Sequence, residues 1–411
     1  LRHGELHNNV RMTWGKARTL WPDDVEQSMA YGQALNDAYA LDGRDPSSVV
    51  GVQWCHGLFD RPFHPPAPIL GLVRQRDLRT HMSRLDMDAY RAHTDRPASE
   101  TSHPIVVIGA GLAGAVAARL LADHGFDVVV LDKGRRVGGR CSRRALDDVV
   151  VTHGARHVHD YPEWMTAWCD GESTVMVQDG STTSLRLMDG PETIAGWLNG
   201  IDVVTGTTVV RIEQNGDQWH VHDEEGSRWE ATGVVVTAPL PQLHRMMPGA
   251  PESWSNHAYR PTWSLVLAHG TPPPAAFRPT LENLGFEVEE SDGTTGAVVH
   301  FPHDWSQSHL EDERTDVVQA FMDMTSGVDN EVLDWLKSAT CQSHRWRYGR
   351  ADALGVESAF PRLVEAGDAW ETPVGTGGAA LRSGAWAAAH MAWQCSQHLR
   401  PASAPVQQTL F

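Results

Sequence analysis

The chain has 411 residues, room for two or three domains, and its 41% hydrophobic content is that of an ordinary globular protein. Its net charge of −18 is uneven: residues 1–100 hold 12 Lys+Arg against 13 Asp+Glu, so nearly all the excess lies beyond them, in a body that would repel nucleic acid. No apolar run reaches membrane-spanning length, because Arg119 interrupts the best candidate. Five scattered cysteines (Cys55, Cys141, Cys169, Cys341, Cys395) form no C-x-x-C pair, which argues against a disulfide or metal framework and for a reducing cytoplasm. No secretory leader is evident, and Leu at position 1 reads as a start cut from a longer protein.

Residues 1–90 are Trp-rich and helix-like, without strand alternation. Leu1 to Arg18 has helical spacing, and Pro22 with Asp23-Asp24 opens a second helix running to about Tyr39. Leu41-Asp42-Gly43-Arg44-Asp45-Pro46 is a turn cluster, and Pro62, Pro65, Pro66 and Pro68 mark an extended loop. Arg74, Arg76, Arg79 and Arg84 read as a solvated helix face, and any DNA contact is expected in this part of the chain. Residues 91–103 are polar and read as a linker.

Next comes Ile105 to Ile108, a short apolar run bounded by Pro104 and Gly109, as in a buried parallel strand. Gly109, Gly111 and Gly114 then give the spacing G-x-G-x-x-G. The first glycine permits a tight turn, the second lets backbone approach a pyrophosphate, and the third lets helix pack on strand. Ala115 to Ala122 continue as a small-residue helix whose N-terminal amides favour a phosphate. Phe126 to Leu131 form the second strand. Asp132 ends it, 23 residues after Gly109, where a carboxylate accepts hydrogen bonds from a ribose.

Further along, Thr207 to Thr237 alternates and turns at Asn215-Gly216, as an antiparallel meander would. Trp164, Trp168, Trp197, Trp254, Trp263 and Trp305 read as core rather than as a ligand cage. No Ser-His-Asp or metal constellation is evident. Pro401 to Pro405 is a flexible spacer before the final Gln407-Gln408-Thr409-Leu410-Phe411.

Val137-Gly138-Gly139-Arg140 resembles the second fingerprint of the FAD-binding amine oxidase superfamily, where the glycines pass the pyrophosphate and the arginine braces it. Other segments follow in that family's order. Thr152-His153-Gly154-Ala155 resembles its segment near the flavin ring, and Val234 to Pro239 its strand-to-proline turn. His344-Arg345-Trp346-Arg347-Tyr348 is similar to a run in renalase-like members. Gly367-Asp368, Gly377-Gly378-Ala379 and Ser383-Gly384 resemble the closing flavin motif, whose Asp holds the ribityl chain. The resemblance, spanning residues 104–398, also puts Lys133 and Val209 at the cofactor and implies non-covalent FAD, since Cys395 lacks an attachment context.

In the first ninety residues, Gly4 to Met12 resembles the DNA photolyase helix carrying a substrate-contacting Asn and Met. Leu41 to Pro46 and Gly51-Val52-Gln53-Trp54 resemble that family's loop against the flavin ring. By that resemblance Arg11 pairs with Asp42, and Asn8 and Met12 face a flipped pyrimidine dimer. Trp14, Trp21 and Trp54 are either an electron relay or, the plainer reading, core. Ser47-Ser48 departs from the Asn that photolyases place near flavin N5. Gln407, Leu410 and Phe411 resemble the terminal pentapeptide that docks on a bacterial sliding clamp.

The expected fold is α/β: a Rossmann-like FAD-binding domain with an inserted α+β substrate domain, preceded by an all-α photolyase-like fragment. The FAD half would comprise 104–160, 200–240 and 340–398, the substrate half 160–200 and 240–340, and the tail 399–411. The implied chemistry is hydride transfer to flavin from an amine or from NAD(P)H, with the protein supplying position and electrostatics. His153 would be the titratable residue nearest the ring, tuning the flavin or simply making a structural hydrogen bond. Three function classes stay open: the oxidoreductase, a photolyase-related DNA-repair protein, and a non-catalytic clamp-tethered flavoprotein. Expected partners are a small-molecule substrate, the sliding clamp through the tail, and DNA only through the photolyase-like part, with no membrane.

Overall fold

A computed structural model describes residues 7–20, 24–40, 42–43, 45–76, 83–90, 101–169, 171–179, 182–291, 293–325, 327–358 and 360–396. At its centre is a five-stranded parallel sheet. Its strands run in the order Leu363–Glu365, Gly233–Val236, Ile105–Ile108, Val128–Asp132 and Asp202–Thr205. A strand covered on both faces needs apolar residues at every position, and Ile105 to Ile108 are all buried. Ile105 and Val107 point into one core and Val106 and Ile108 into another, as the two-residue side-chain period requires.

On the first face lie the helices Leu112–Asp123 and Gly377–Ser396. They touch backbone to backbone, for a Cβ on Gly384 would stand 2.3 Å from the Ala113 carbonyl oxygen. On the second face lie the helix Leu240–Met246 and an antiparallel meander of Val209–Asn215, Gln218–Asp223 and Arg228–Ala231. Its first turn falls at Asn215-Gly216, where Gly216 takes a φ of +62°, but the expected meander ends at Ala231. Gly233–Val236, buried on both sides, joins the parallel sheet instead.

A separate four-stranded antiparallel sheet runs in the order Glu287–Ser291, Thr294–His300, Tyr259–His269 and Thr340–Ala351. Trp263, Leu265 and Leu267 face a third core with Phe321 and Leu336 from helices Arg314–Met324 and Asn330–Ser338. Val266 and Ala268 face the hairpin Arg143–Leu146 and Val149–Thr152.

Two expected boundaries move. Thr340–Ala351 belongs to this antiparallel sheet, so the return to the FAD half comes after Ala351 rather than at 340. Within 160–200, Trp164, Met165, Leu185, Leu187, Ile194 and Trp197 share the core of Ile105, so the apolar side of the segment packs with the parallel sheet, while Arg186 lines a cleft with Glu289 and Glu290. Apolar content could not tell these apart, because both cores are built from the same residue types. Trp164, Trp197, Trp254 and Trp263 are core residues, while Trp168 and Trp305 pack half-buried against it.

Ahead of the sheet come helices Asn8–Arg18, Val25–Tyr39 and Pro46–Cys55. Asp24 caps the second by accepting from the Glu26 and Gln27 amides, and Asp45 with Pro46 starts the third. Gly51 to Trp54 are therefore helical and not the loop the resemblance implied. Ala34, on the second helix, enters the core of Ile105, so this part packs on the body. Arg74 and Arg76 lie outside any helix, contrary to the solvated-face reading, and Arg79 is outside the described residues.

Candidate cofactor site

The glycine turn leaves Ile108 and reverses at Gly109, whose φ of +105° is open to glycine but not to other residues. A Cβ on Gly114 would lie 1.8 Å from the Gly109 carbonyl oxygen, so the helix can approach only without one. Gly111 caps that helix with no side-chain hydrogen bond, leaving first-turn N–H groups for an anion. The second glycine loop seats directly on the first. The Gly138 N–H donates to the Ala110 carbonyl at 2.8 Å, and a Cβ on Gly139 would lie 3.1 Å from the Gly111 Cα.

Asp132 stands at the strand tip beside this turn. Its Oδ2 accepts the Ala110 N–H and its Oδ1 the Gly134 N–H, both at 2.6 Å. Each oxygen keeps a lone pair, enough for the two hydroxyls of a ribose. Val209, buried, opens the strand that follows Thr207, whose N–H donates to the Asp132 carbonyl at 2.9 Å. Lys133 is exposed, with its Nζ 3.4 Å from Gln242 Oε1.

Arg140 and Asp368 meet each other. Nη1 donates to Oδ2 at 2.8 Å and Nη2 to Oδ1 at 2.7 Å; Nη1 also donates to the Gly349 carbonyl at 3.0 Å. Asp368 Oδ2 further accepts the Ala351 N–H at 2.8 Å, so Oδ1 alone retains an acceptor site. Burial works to raise the Asp368 pKa, yet the charge and hydrogen bonds of Arg140 hold it below the usual carboxylate value. Burial and then the Asp368 charge push Tyr259 up to about 12, and its ring meets Tyr348 edge-on at 5.3 Å.

The other motif residues close around this pair. Gly154 sits so near that a Cβ would lie 2.3 Å from the Arg140 carbonyl oxygen, and the Ala155 N–H donates to that oxygen at 2.8 Å. Gly367, with φ +137°, donates its N–H to Ser383 Oγ at 2.9 Å. Gly377 and Gly378 open the last helix against Val158 and Asp160, where Cβ atoms would collide, and the Ala379 N–H donates to Thr376 Oγ1 at 3.0 Å.

His153 is buried, 3% exposed, and stacks on Trp346 at 5.3 Å with His344 edge-on at 4.8 Å. Its Nδ1 has no hydrogen-bond partner, while a hydrogen bond with the Val151 backbone acts on the ring. Burial, then the charges of Arg144 and His300, lower its pKa to about 4; burial, then His153 and Arg144, lower that of His344 to about 3. Both imidazoles are neutral near pH 7. His344 and Trp346 alternate along one strand face and their rings meet at 4.3 Å; past an irregularity in the strand, Tyr348 meets Tyr259 and the Gly349 carbonyl accepts from Arg140. Sequence reasoning singled out the run His344–Tyr348 by resemblance without placing it at the site, and it missed Tyr259; alternation within His344–Tyr348 was the available signal for the row.

In the N-terminal part the Arg11–Asp42 pair forms as the resemblance implied, at 2.6 and 3.0 Å, with Ser48 Oγ accepting from Arg11 at 3.0 Å. The Arg11 hydrogen bond lowers the Asp42 pKa. Asn8 is exposed at the helix start and Met12 is half-buried. Trp54 is surrounded by cations, with Lys16 Nζ at 4.6 Å and the Arg74 and Arg76 guanidiniums at 5.6 and 5.5 Å. Trp14 is 53% exposed, against the core reading. Trp21, Gln407, Leu410 and Phe411 lie outside the described residues.

Residues 107–170 match the family model of the NAD(P)-binding Rossmann-like domain. The chain is 34% identical over 103 residues to a deoxyribodipyrimidine photo-lyase of Oryza sativa subsp. japonica, covering 25% of this chain and 20% of that protein. It thus spans about a fifth of the length of the photolyases it matches. It is 50% identical over 50 residues, 12% of this chain and 10% of the relative, to a zeta-carotene-forming phytoene desaturase of Myxococcus xanthus. Cyclohexylamine oxidase from Brevibacterium oxydans IH-35A superposes with a TM-score of 0.54 over 72% of this chain and 100% of its own, at 11% identity. The fold is that of the FAD-dependent amine oxidases, mixed α/β around a parallel sheet. The chain is similar both to flavin-dependent oxidoreductases and, over a short stretch, to photolyases.

Proposed function

We propose that residues 104–398 are an FAD-dependent oxidoreductase that takes a hydride from an amine or from NAD(P)H. The observation that carries this reading is the joining of two glycine loops backbone to backbone beside the Arg140–Asp368 pair. The residues fit a dinucleotide. Two loops without Cβ atoms leave room for a diphosphate, first-turn amides offer donors, and Asp132 offers free acceptor sites. FAD, when bound, supplies the hydride acceptor. Arg140 would neutralise phosphate charge while Asp368 Oδ1 accepts a hydroxyl. The sheet spanning Tyr259–Ala351 would serve as the substrate-side domain, and its neutral His153–His344–Trp346 row would suit an uncharged amine or a dihydronicotinamide.

The test is purification of the full chain, a visible spectrum, and anaerobic addition of NADH, NADPH and primary amines. Bleaching of a bound flavin by one of these supports the reading and names the donor. A colourless protein that refuses added FAD overturns it. Acid precipitation should release the colour, since Cys395 is buried in the core with its thiol pushed up to about 11 by burial.

A second reading rests on the Arg11–Asp42 pair: that this chain is part of a photolyase-related DNA-repair fusion, its first ninety residues being a helical piece of a photolyase FAD domain. Blue-light loss of thymine dimers by a longer protein containing this chain would support it. Clamp binding through Gln407, Leu410 and Phe411 is a third proposal, answered by pulldown with and without those residues.

A further inference from the structure

The meander on the second face of the parallel sheet carries chemistry that the cofactor site does not use. Ile212, Trp219 and Val221 turn inward to the core, so the alternate residues Arg211, Glu213, His220 and His222 share the outer face. Register places His220 opposite Glu213, and His222 one step along the same strand face. Directly opposed residues hold their Cβ atoms about 5 Å apart. Metal-binding atoms of Glu213, His220 and His222 accordingly lie within 4.8 Å of one another.

Three details separate this cluster from an ordinary surface ion pair. First, His220 is buried, and among the described residues its ring makes no hydrogen bond, so an imidazole lone pair faces the cluster unused. Second, the two carboxylate oxygens of Glu213 are already assigned. Oε2 is held by Arg211, through Nε at 2.8 Å and Nη2 at 2.7 Å, while Oε1 faces His222 Nε2 at 3.2 Å. A carboxylate whose far oxygen is fixed by a neighbour presents the near one in a set direction, as outer partners do in metal sites. Third, the flanking arginines are neutralised: Arg211 by Glu213 and Arg228 by Glu230.

We propose that Glu213, His220 and His222 form a site for a divalent transition metal of the zinc class, separate from the cofactor site. Two imidazoles and one carboxylate suit zinc or cobalt and disfavour magnesium or calcium. A tetrahedral ion with bonds near 2.05 Å needs its ligand atoms about 3.4 Å apart. The Glu213–His222 edge already has that length, and side-chain rotation of His220 supplies the rest. The fourth position faces the surface and would take water. Bound metal would clip the two strands together across the Asn215-Gly216 turn.

The test uses the full chain stripped with a chelator and titrated with Co2+ alone. One equivalent should produce the intense visible bands of a four-coordinate ion, and Zn2+ should displace them. Zn2+ should also raise the melting temperature, whereas Mg2+ should leave it unchanged. His220→Gln with His222→Gln should weaken cobalt binding at least tenfold and abolish the zinc-dependent melting shift, without altering flavin content. Glu213→Gln, nearly isosteric, should do the same and covers the case in which the double variant fails to fold. Absence of cobalt bands in the wild type, or equal affinity in wild type and Glu213→Gln, overturns the assignment.

Discussion

Arg140 and Asp368, 228 positions apart, grip each other through two parallel hydrogen bonds of 2.8 and 2.7 Å. One residue closes the second glycine loop and the other follows the last strand of the parallel sheet, so the pair ties both ends of the fold at the cofactor site. Asp368 is 6% exposed on its side chain and Arg140 37%, which places the pair between a buried and a surface bridge. Asp368→Asn should therefore cost about 2 kcal/mol, between the magnitudes for exposed and fully buried pairs, and should lower FAD affinity. Urea unfolding and flavin retention on dilution check both effects.

Acid should expose the same pair. The folded Asp368 pKa lies below its ordinary value, so its contribution is present above the unfolded pKa and fades as pH falls through the folded one. Loss is expected below about pH 4, near the carboxylate reference value. In Asp368→Asn the acid limb of the stability curve should be shallower than in the wild type, and an unchanged limb would refute the assignment.

His153 acts over a different window. Its folded pKa near 4 lies below the unfolded 6.5, so the unfolded chain takes up the proton first. Stability should be full above about pH 6.5 and should fall as pH drops toward 4, by roughly 3 kcal/mol for a shift of this size. His153→Phe keeps the stacking on Trp346 and removes the proton site. Its unfolding free energy between pH 4.5 and 6.5 should change less than that of the wild type.

Gly114→Ala tests the turn. A Cβ there would fall 1.8 Å from the Gly109 oxygen, so the helix must shift away from the strand. FAD affinity is expected to drop about thirtyfold, the equivalent of roughly 2 kcal/mol, the middle of the range for overpacking. Fluorescence quenching on flavin titration gives the number. Gly384→Ala, at the helix–helix contact, should cost stability of the same order while disturbing flavin binding less.

By contrast Arg11→Ala should destabilise by less than about 1 kcal/mol, since Asp42 is half exposed. A loss of several kcal/mol on thermal unfolding would mean that the N-terminal helices depend on this pair far more than its exposure implies.

Local signals in the chain were enough for the glycine turn, the strand Ile105–Ile108, the helix Val25–Tyr39 and the Asn215-Gly216 turn. Each rests on backbone conformation, capping or side-chain period, which act within a few residues. Three other matters depended on which strands pair and in what register: the membership of Thr340–Ala351 in the antiparallel sheet, the packing of residues 160–200 with the parallel sheet, and the face shared by Glu213, His220 and His222. The grip of Arg140 on Asp368 is of the same kind, because attraction between charges carries no information about sequence separation. Short-range sterics are written in the order of residues; contacts across the fold exist only after burial of the cores has brought distant segments together.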